Sequence, residues 1–342
     1  MDDFWQIVEP MVNSEEEVVL ATIINVKGSS YKKEGSCMLF FKNGSQIGLL
    51  SAGCLEHDLA HHAQQVLRTG GPMVLSYDNS DEDDGLWGNG AGCFGVITIL
   101  LEKIGASQKA DYLKVKEFLE KGVRVLSNKT WSGKVECRFT PENGEAWGSG
   151  MVPDFKDFKK SMHGGEKWYH DHSIKDDVYQ HLYIPKPRLF VMGAGQDAVP
   201  IVSLAIRTGF SVIVCDWREA LCQKDFFPDG VRLEVGSPAE IYQKENFTNN
   251  DFVVVMNHNF QRDLQMLTLL KNEELRYLGV LGPKERTQRL LCCIETQTRI
   301  SSPAGLSIGA RGPEEIAVSI IAQMLEIMNK PVHTVPLCLV PD

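Results

Sequence analysis

The sequence predicts an α/β protein in two parts. An N-terminal mixed α+β domain covers residues 1–184, and a C-terminal doubly wound parallel-sheet domain covers residues 185–342. Three observations carry this. Residues 189–218 read as strand, Gly-rich turn, helix, strand and acid in one unbroken unit. Beyond it, short apolar runs alternate with helical patterns, the order of a parallel sheet covered on both faces. Before it, Pro185-Lys186-Pro187 restricts the backbone and makes a natural domain boundary.

The unit at 189–218 organises the rest. The run Leu189-Phe190-Val191-Met192 stops at Gly193-Ala194-Gly195-Gln196, a helical pattern runs from Ala198 to about Arg207, and Val212–Cys215 ends on Asp216. Gly193 permits a sharp turn out of the strand. Gly195 lacks a Cβ, so a phosphate can approach the backbone, and Ala198 takes the third small position. The new helix then points N–H groups at an anion. Asp216 lies 23 residues after Gly193 (216 − 193), near the offset of a ribose-binding acid. The pattern is therefore Rossmann-like, and dinucleotide binding is its first implication.

In chain order, residues 4–12 suit a short helix. Val18–Val26 is apolar and β-branched enough for a buried strand, ended by Gly28-Ser29-Ser30. Ser36–Phe41 and Ile47–Leu50 are strands joined by a Lys42-Asn43-Gly44 turn. Ser51-Ala52-Gly53-Cys54-Leu55-Glu56 opens a helix to about Arg68, with Leu55, Leu59, Ala63 and Leu67 on one face. Met73–Tyr77 is a strand. Residues 78–95 form a loop rich in acids and then glycines, and Val96–Leu101 is a strand ended by Glu102. A helix follows over 108–121 with Leu113, Phe118 and Leu119 apolar, then a hairpin of 123–126 and 134–139 around Trp131-Ser132-Gly133. The polar stretch 141–176 has no usable period, and Val178–Ile184 is a last strand. In the second half, strands are expected at 231–235, 251–256 and 278–281. Helices are expected at 263–270, 285–293 and 313–328, the last with Pro313 first and Glu314 and Glu315 in its opening turn. The carboxyl ends of these strands converge on a crevice carrying Gly193, Asp216, Asn257 and Gly282.

The balance of 35 Lys and Arg against 45 Asp and Glu gives a formal charge of −10, which argues against nucleic-acid or anionic-membrane binding. No apolar run approaches the roughly 18 residues of a bilayer span. The N-terminus lacks the shape of a signal peptide, so a cytoplasmic protein is expected. Nine cysteines without a CxxC pair argue against both a disulfide framework and a structural zinc site.

Cys54 falls just inside the expected helix start, after Gly53. It reads either as a reactive thiolate or anion site, favoured by the helix N-terminus, or as a buried thiol in a capped helix. The loop Gly88–Gly95, with Gly92 and Cys93, allows close approach of a ligand or of another chain segment. Ser29 and Ser30, followed by Lys32 and Lys33, suit a phosphate or simply a solvated turn. His57 and His61 share a helix face, yet without an HExxH order a solvated face is the better reading and no metal is expected. No catalytic triad or carboxylate pair emerges from the spacing.

Together, ATIINVKGSSYKKEGSCMLF, SAGCLE, GAGCFGVITILLE, GAG, CDWR, MNHNFQRDL, YLGVLGPKERTQRLL and PAGLSIGARGPEEIAVSI, in that order, resemble the XdhC/CoxI family, accessory factors of xanthine dehydrogenase and related molybdenum hydroxylases. The resemblance implies a chaperone rather than a turnover enzyme, acting in purine catabolism. It would bind the molybdenum cofactor (molybdopterin) transiently, hold it during sulfuration with a cysteine desulfurase as partner, and deliver it to apo-xanthine dehydrogenase or a related enzyme. It also implies a homodimer. On this reading Cys54 and Cys93 sit near the metal centre, the Gly193 turn takes the phosphate, and the cofactor lies between the domains. Gly53, Glu56, Gly92, Ser29, Ser30, Ala194, Gly195, Gln196, Asp216, Arg218 and His258 complete the expected binding set. Two positions depart from the family pattern: Ala52 in the SGGCxE motif, and Gln196 where a His commonly follows the GAG. The alternative is an NAD(P)-dependent oxidoreductase with Asp216 or Arg218 reading the ribose and His258 as proton donor. A docking scaffold without ligand is a third.

Overall fold

The computed structural model describes residues 3–51, 53–78, 95–150, 167–171, 176–294 and 298–329. The chain divides into two compact units, Met1–Pro185 and Lys186–Asp342.

The first unit opens with helix α1 (Phe4–Asn13) and a first sheet. Its strands are β1 (Val18–Gly28), β2 (Cys37–Phe40), β3 (Gln46–Gly48), β4 (Met73–Asp78) and β5 (Gly95–Ile104). They are antiparallel in the order β3-β2-β1-β5-β4. Helix α2 (Glu56–Thr69) joins β3 to β4, and α3 (Ala106–Glu120) follows β5. The alternation of a strand explains why β1 is apolar throughout. Val18 and Leu20 face a core shared with α1 and α3, whereas Val19, Ala21 and Ile23 face α2. A second antiparallel sheet has the order β8-β7-β6-β10-β9. It is built from β6 (Val125–Thr130), β7 (Glu136–Pro141), β8 (Trp147–Gly148), β9 (Lys167–Asp171) and β10 (Asp176–Tyr183).

Three expectations for this unit change. Strand β5 does not end at Glu102 but continues to Ile104, because Glu102 is buried and ion-paired with the equally buried Lys129 of β6. Leu113 of α3 is exposed; Tyr112, Val115 and Leu119 take the core, with Lys109 buried beside them and donating to the carbonyls of Ser14 (2.8 Å) and Glu16 (2.6 Å). Helix α2 starts at Glu56, so Cys54 lies in the bend before it rather than in its first turn.

The second unit is a Rossmann domain. Its strands are β11 (Arg188–Met192), β12 (Ser211–Asp216), β13 (Arg232–Val235), β14 (Phe252–Val255) and β15 (Tyr277–Val280), all parallel, in the order β13-β12-β11-β14-β15. The helices are α4 (Ala198–Arg207), α5 (Pro238–Lys244), α6 (Phe260–Leu270), α7 (Lys284–Leu291) and α8 (Gly312–Asn329). Leu189 and Val191 of β11 pack on the face covered by α4 and α8, and Phe190 and Met192 on the face covered by α5, α6 and α7. The order reverses between β11 and β14, and there the strand ends open the crevice of a doubly wound sheet. Helix α5 was unforeseen, although Ser237 and Glu240 form the capping box that announces it.

Candidate functional site

The crevice of the second unit gathers Asp216, the last residue of β12, with Gly193, Ala194, Gly195, Gln196, Arg218 and His258 on the turns that leave β11, β12 and β14. Each glycine has a local reason. Gly193 adopts φ +131°, and a Cβ there would lie 2.5 Å from the Met256 carbonyl oxygen. It is glycine because the turn passes against the end of β14. At Gly195 a Cβ would lie 2.6 Å from Asp197 Oδ1, so the open face of this glycine is occupied by the chain's own carboxylate. Asp197 Oδ2 is held at 2.7 Å by Nε2 of His258, a residue at φ +55° that few non-glycine residues adopt. The N–H groups of Gly195, Gln196 and Asp197 have no acceptor among the described residues. Those of Ala198 and Val199 turn back to Gly195 and Gln196, and Pro200 has none.

Asp216 is wholly engaged. Its Oδ2 accepts from the Ala194 N–H (2.8 Å) and from Arg218 Nη2 (2.8 Å), and its Oδ1 from the N–H (2.8 Å) and Nε (2.9 Å) of Arg218. Burial works to raise its pKa, but these donors outweigh it and hold the carboxyl below its ordinary value. The acid at the ribose offset is thus a clamp for a guanidinium and for the glycine turn. Sequence reasoning missed three of its neighbours: Trp217, with the Arg218 guanidinium 4.4 Å and that of Arg262 5.4 Å from its ring centre, and Asp197 itself. Only the side-chain network could reveal them. Asn257 and the fully buried Asp263 complete the wall: Asn257 donates to Asp263 Oδ1 (2.9 Å), and Arg286 to Asp263 Oδ2.

In the first unit, β1, β3 and β4 run one way and β2 and β5 the other, so the segments after β1, β3 and β4 leave the same end of the sheet. Gly53, Cys54, Glu56, Ser29 and Ser30 therefore gather there. Gly92 and Cys93 lie outside the described residues, but Gly95 packs closely on the backbone of Ser29 at this end. Ser51 and Glu56 explain the SAGCLE pattern. The Glu56 carboxylate is buried, accepting from the N–H groups of Leu50 (3.2 Å) and Ser51 (2.7 Å) and from the Ser51 hydroxyl (2.5 Å), while Ser51 Oγ accepts from the Leu55 N–H (3.0 Å). This lock presents Gly53, at φ +104°, and the exposed thiol of Cys54 to solvent. Glu56 faces the loop's own backbone. The phosphate reading of residues 28–33 loses two members: the Ser30 hydroxyl bonds to the Lys32 carbonyl, and Lys32 Nζ pairs with Asp3 at 2.8 Å. Ser29 and Lys33 stay exposed. His57 and His61 are exposed on α2. Among the described residues no group of three His, Cys, Asp or Glu is placed to hold a metal.

Burial works to raise the Glu56 pKa, yet its hydrogen bonds win and bring it below the 4.5 of an unperturbed glutamate. A lowered folded-state pKa contributes stability that is complete above the unfolded value and is lost as pH falls through the folded one. Glu56→Gln should therefore destabilise the chain by about 1–3 kcal/mol at neutral pH. Its gap from the unsubstituted chain should narrow below pH 4.5, as read by urea denaturation at several pH values. A gap that does not change with pH would contradict the lock.

Comparisons with known proteins agree with this architecture. Residues 189–324 match the model of the XdhC Rossmann domain, and residues 11–78 that of the XdhC and CoxI family. The chain is 37% identical over 333 residues to a Bacillus subtilis protein named as a probable xanthine dehydrogenase subunit, covering 96% of this chain and 99% of that one. It is 21% identical over 316 residues to the Escherichia coli molybdenum cofactor insertion chaperone PaoD, covering 90% and 83%. A Bacillus halodurans crystal structure described as a xanthine dehydrogenase superposes with a TM-score of 0.85 at 38% identity, over 98% of each chain. With a full-length relative above a third identity, both halves matched and the Rossmann crevice in place, the chain belongs to the XdhC and CoxI family.

Proposed function

We propose that this protein binds the molybdenum cofactor, molybdopterin, and delivers it to xanthine dehydrogenase or a related molybdenum hydroxylase, without turning over a substrate of its own. The cofactor is cargo here. The observation that carries the reading is the pairing of chemistries it needs on one chain. The Rossmann crevice offers guanidinium donors suited to a phosphate. The first unit holds out an exposed thiol on a locked glycine loop, a soft group suited to a molybdenum centre. Neither surface carries, among the described residues, a nucleophile with a base and an orienting group. The names of the Bacillus and Escherichia coli relatives point the same way. A cysteine desulfurase as sulfur source and a homodimer belong to the same proposal. The NAD(P)-dependent reading loses its main support, since every Asp216 oxygen is occupied within the chain.

The test is retention on a desalting column, with isolated molybdopterin cofactor and NADH as competing probes. The cofactor should be retained and NADH not. Cys54→Ala should lose most of the retained molybdenum while changing stability by less than about 0.5 kcal/mol, because the thiol is exposed and has no partner among the described residues. Retention of NADH with hydride turnover, and no pterin, would overturn the proposal.

A further inference from the structure

We infer that the anion subsite of the Rossmann crevice is the guanidinium of Arg218, not the glycine turn. It deepens the cofactor reading above by naming the group that would take the cofactor's phosphate. Two observations meet here. The open face of Gly195, where a phosphate would seat in a dinucleotide fold, is filled by Asp197 Oδ1, and His258 holds that carboxylate in place. An anion approaching the free N–H groups of residues 195–197 meets a like charge. The chain supplies its own anion at that position.

Arg218 presents the opposite. A guanidinium has five N–H donors. Nε and one Nη2 hydrogen are spent on Asp216, so five minus two leaves three without a partner among the described residues. Asp216 fixes the fork from behind, and the ring of Trp217 flanks it. A fork held in this way loses little freedom when it receives an oxyanion, and its geometry matches a phosphate. Arg262, with its guanidinium 5.4 Å from the same ring, adds positive charge that Asp216 does not cancel. The side chain of Arg218 remains 37% exposed, enough to be reached. The ligand group read here is a phosphate, whereas a ribose diol would find no free carboxylate oxygen. Arg218 thus sets specificity toward anionic over neutral ends of the ligand, and Asp197 keeps the glycine turn closed to them.

The experiment titrates inorganic phosphate and pyrophosphate into the purified full-length chain and follows tryptophan fluorescence, with Trp217→Phe identifying the signal. Saturable binding is expected for the unsubstituted chain. Arg218→Ala should weaken it at least tenfold. Arg218→Lys, which keeps a cation beside Asp216 and so guards against a folding defect, should weaken it too because the fork is gone. Asp197→Ala should strengthen it several-fold by removing a negative charge that acts on Arg218, and Arg207→Ala, on the exposed end of α4, should leave it unchanged. The assignment is overturned if the unsubstituted chain binds neither probe, or if both Arg218 variants bind as it does. Molybdopterin retained equally by the Arg218 variants would sink the subsite and leave the proposed function standing. Phosphate bound at Arg218 without molybdopterin retention would do the reverse.

Discussion

Lys129→Met should destabilise the first unit by about 3–5 kcal/mol, the cost of removing one partner from a fully buried ion pair. Lys129 and Glu102 are 1% and 3% exposed, on β6 and β5. Burial works to lower the lysine's pKa, but the Glu102 carboxylate outweighs it and holds the ammonium charged well beyond its usual range. A raised folded-state pKa gives stability that is full below the unfolded lysine value and lost only as pH rises through the folded one, so the pair is intact at neutral pH. Methionine fills the lysine's volume and leaves the carboxylate without its ion-pair partner in a low-dielectric core. The double variant Lys129→Met/Glu102→Leu should regain most of the loss, since two apolar groups need no partner. Urea denaturation of the four proteins gives the coupling directly. A single-variant cost under about 1 kcal/mol would mean that water reaches the pair.

Gly193→Ala should be nearly as damaging and should act on the crevice. A non-glycine residue in this backbone region costs about 1–3 kcal/mol. The added methyl would also meet the Met256 carbonyl at 2.5 Å, so β11 and β14 must part or the turn must move. Relief of such overlap costs roughly as much again. Since Ala194 donates to Asp216, displacement of the turn also loosens the clamp on Arg218. Both stability and ligand retention should fall. Gly44→Ala, at a positive φ but with nothing within 4 Å of a Cβ, provides the comparison: it should show the strain without the overlap.

Much of the fold was legible because its signals are local. The dense β-branched run of β1 and the Gly193–Asp216 unit each depend on a few neighbouring residues. What was not legible depends on distant partners. Nothing in the sequence around Glu102 says that Lys129, 27 residues later, lets the strand run on through a buried charge. Nothing around Leu113 says that Lys109 would be the buried polar residue of its helix. The site was legible as a set of positions but not as roles. Asp216 stands where a ribose acceptor should, yet Arg218, two residues on, consumes it. Glu56 reads as a ligand carboxylate and is a loop lock. Asp197 went unnoticed because its partner, His258, lies 61 residues away. His258 was visible as a residue following a strand, whereas its bond to Asp197 was not.

Delivery of the cofactor can be measured by transfer. The purified chain is loaded with molybdopterin cofactor, freed of unbound cofactor, and mixed with apo-xanthine dehydrogenase. Molybdenum should move to the dehydrogenase, its activity should rise in proportion, and Cys54→Ala protein treated alike should transfer little. Activation by free cofactor to the same extent and at the same rate, with or without this chain, would contradict delivery.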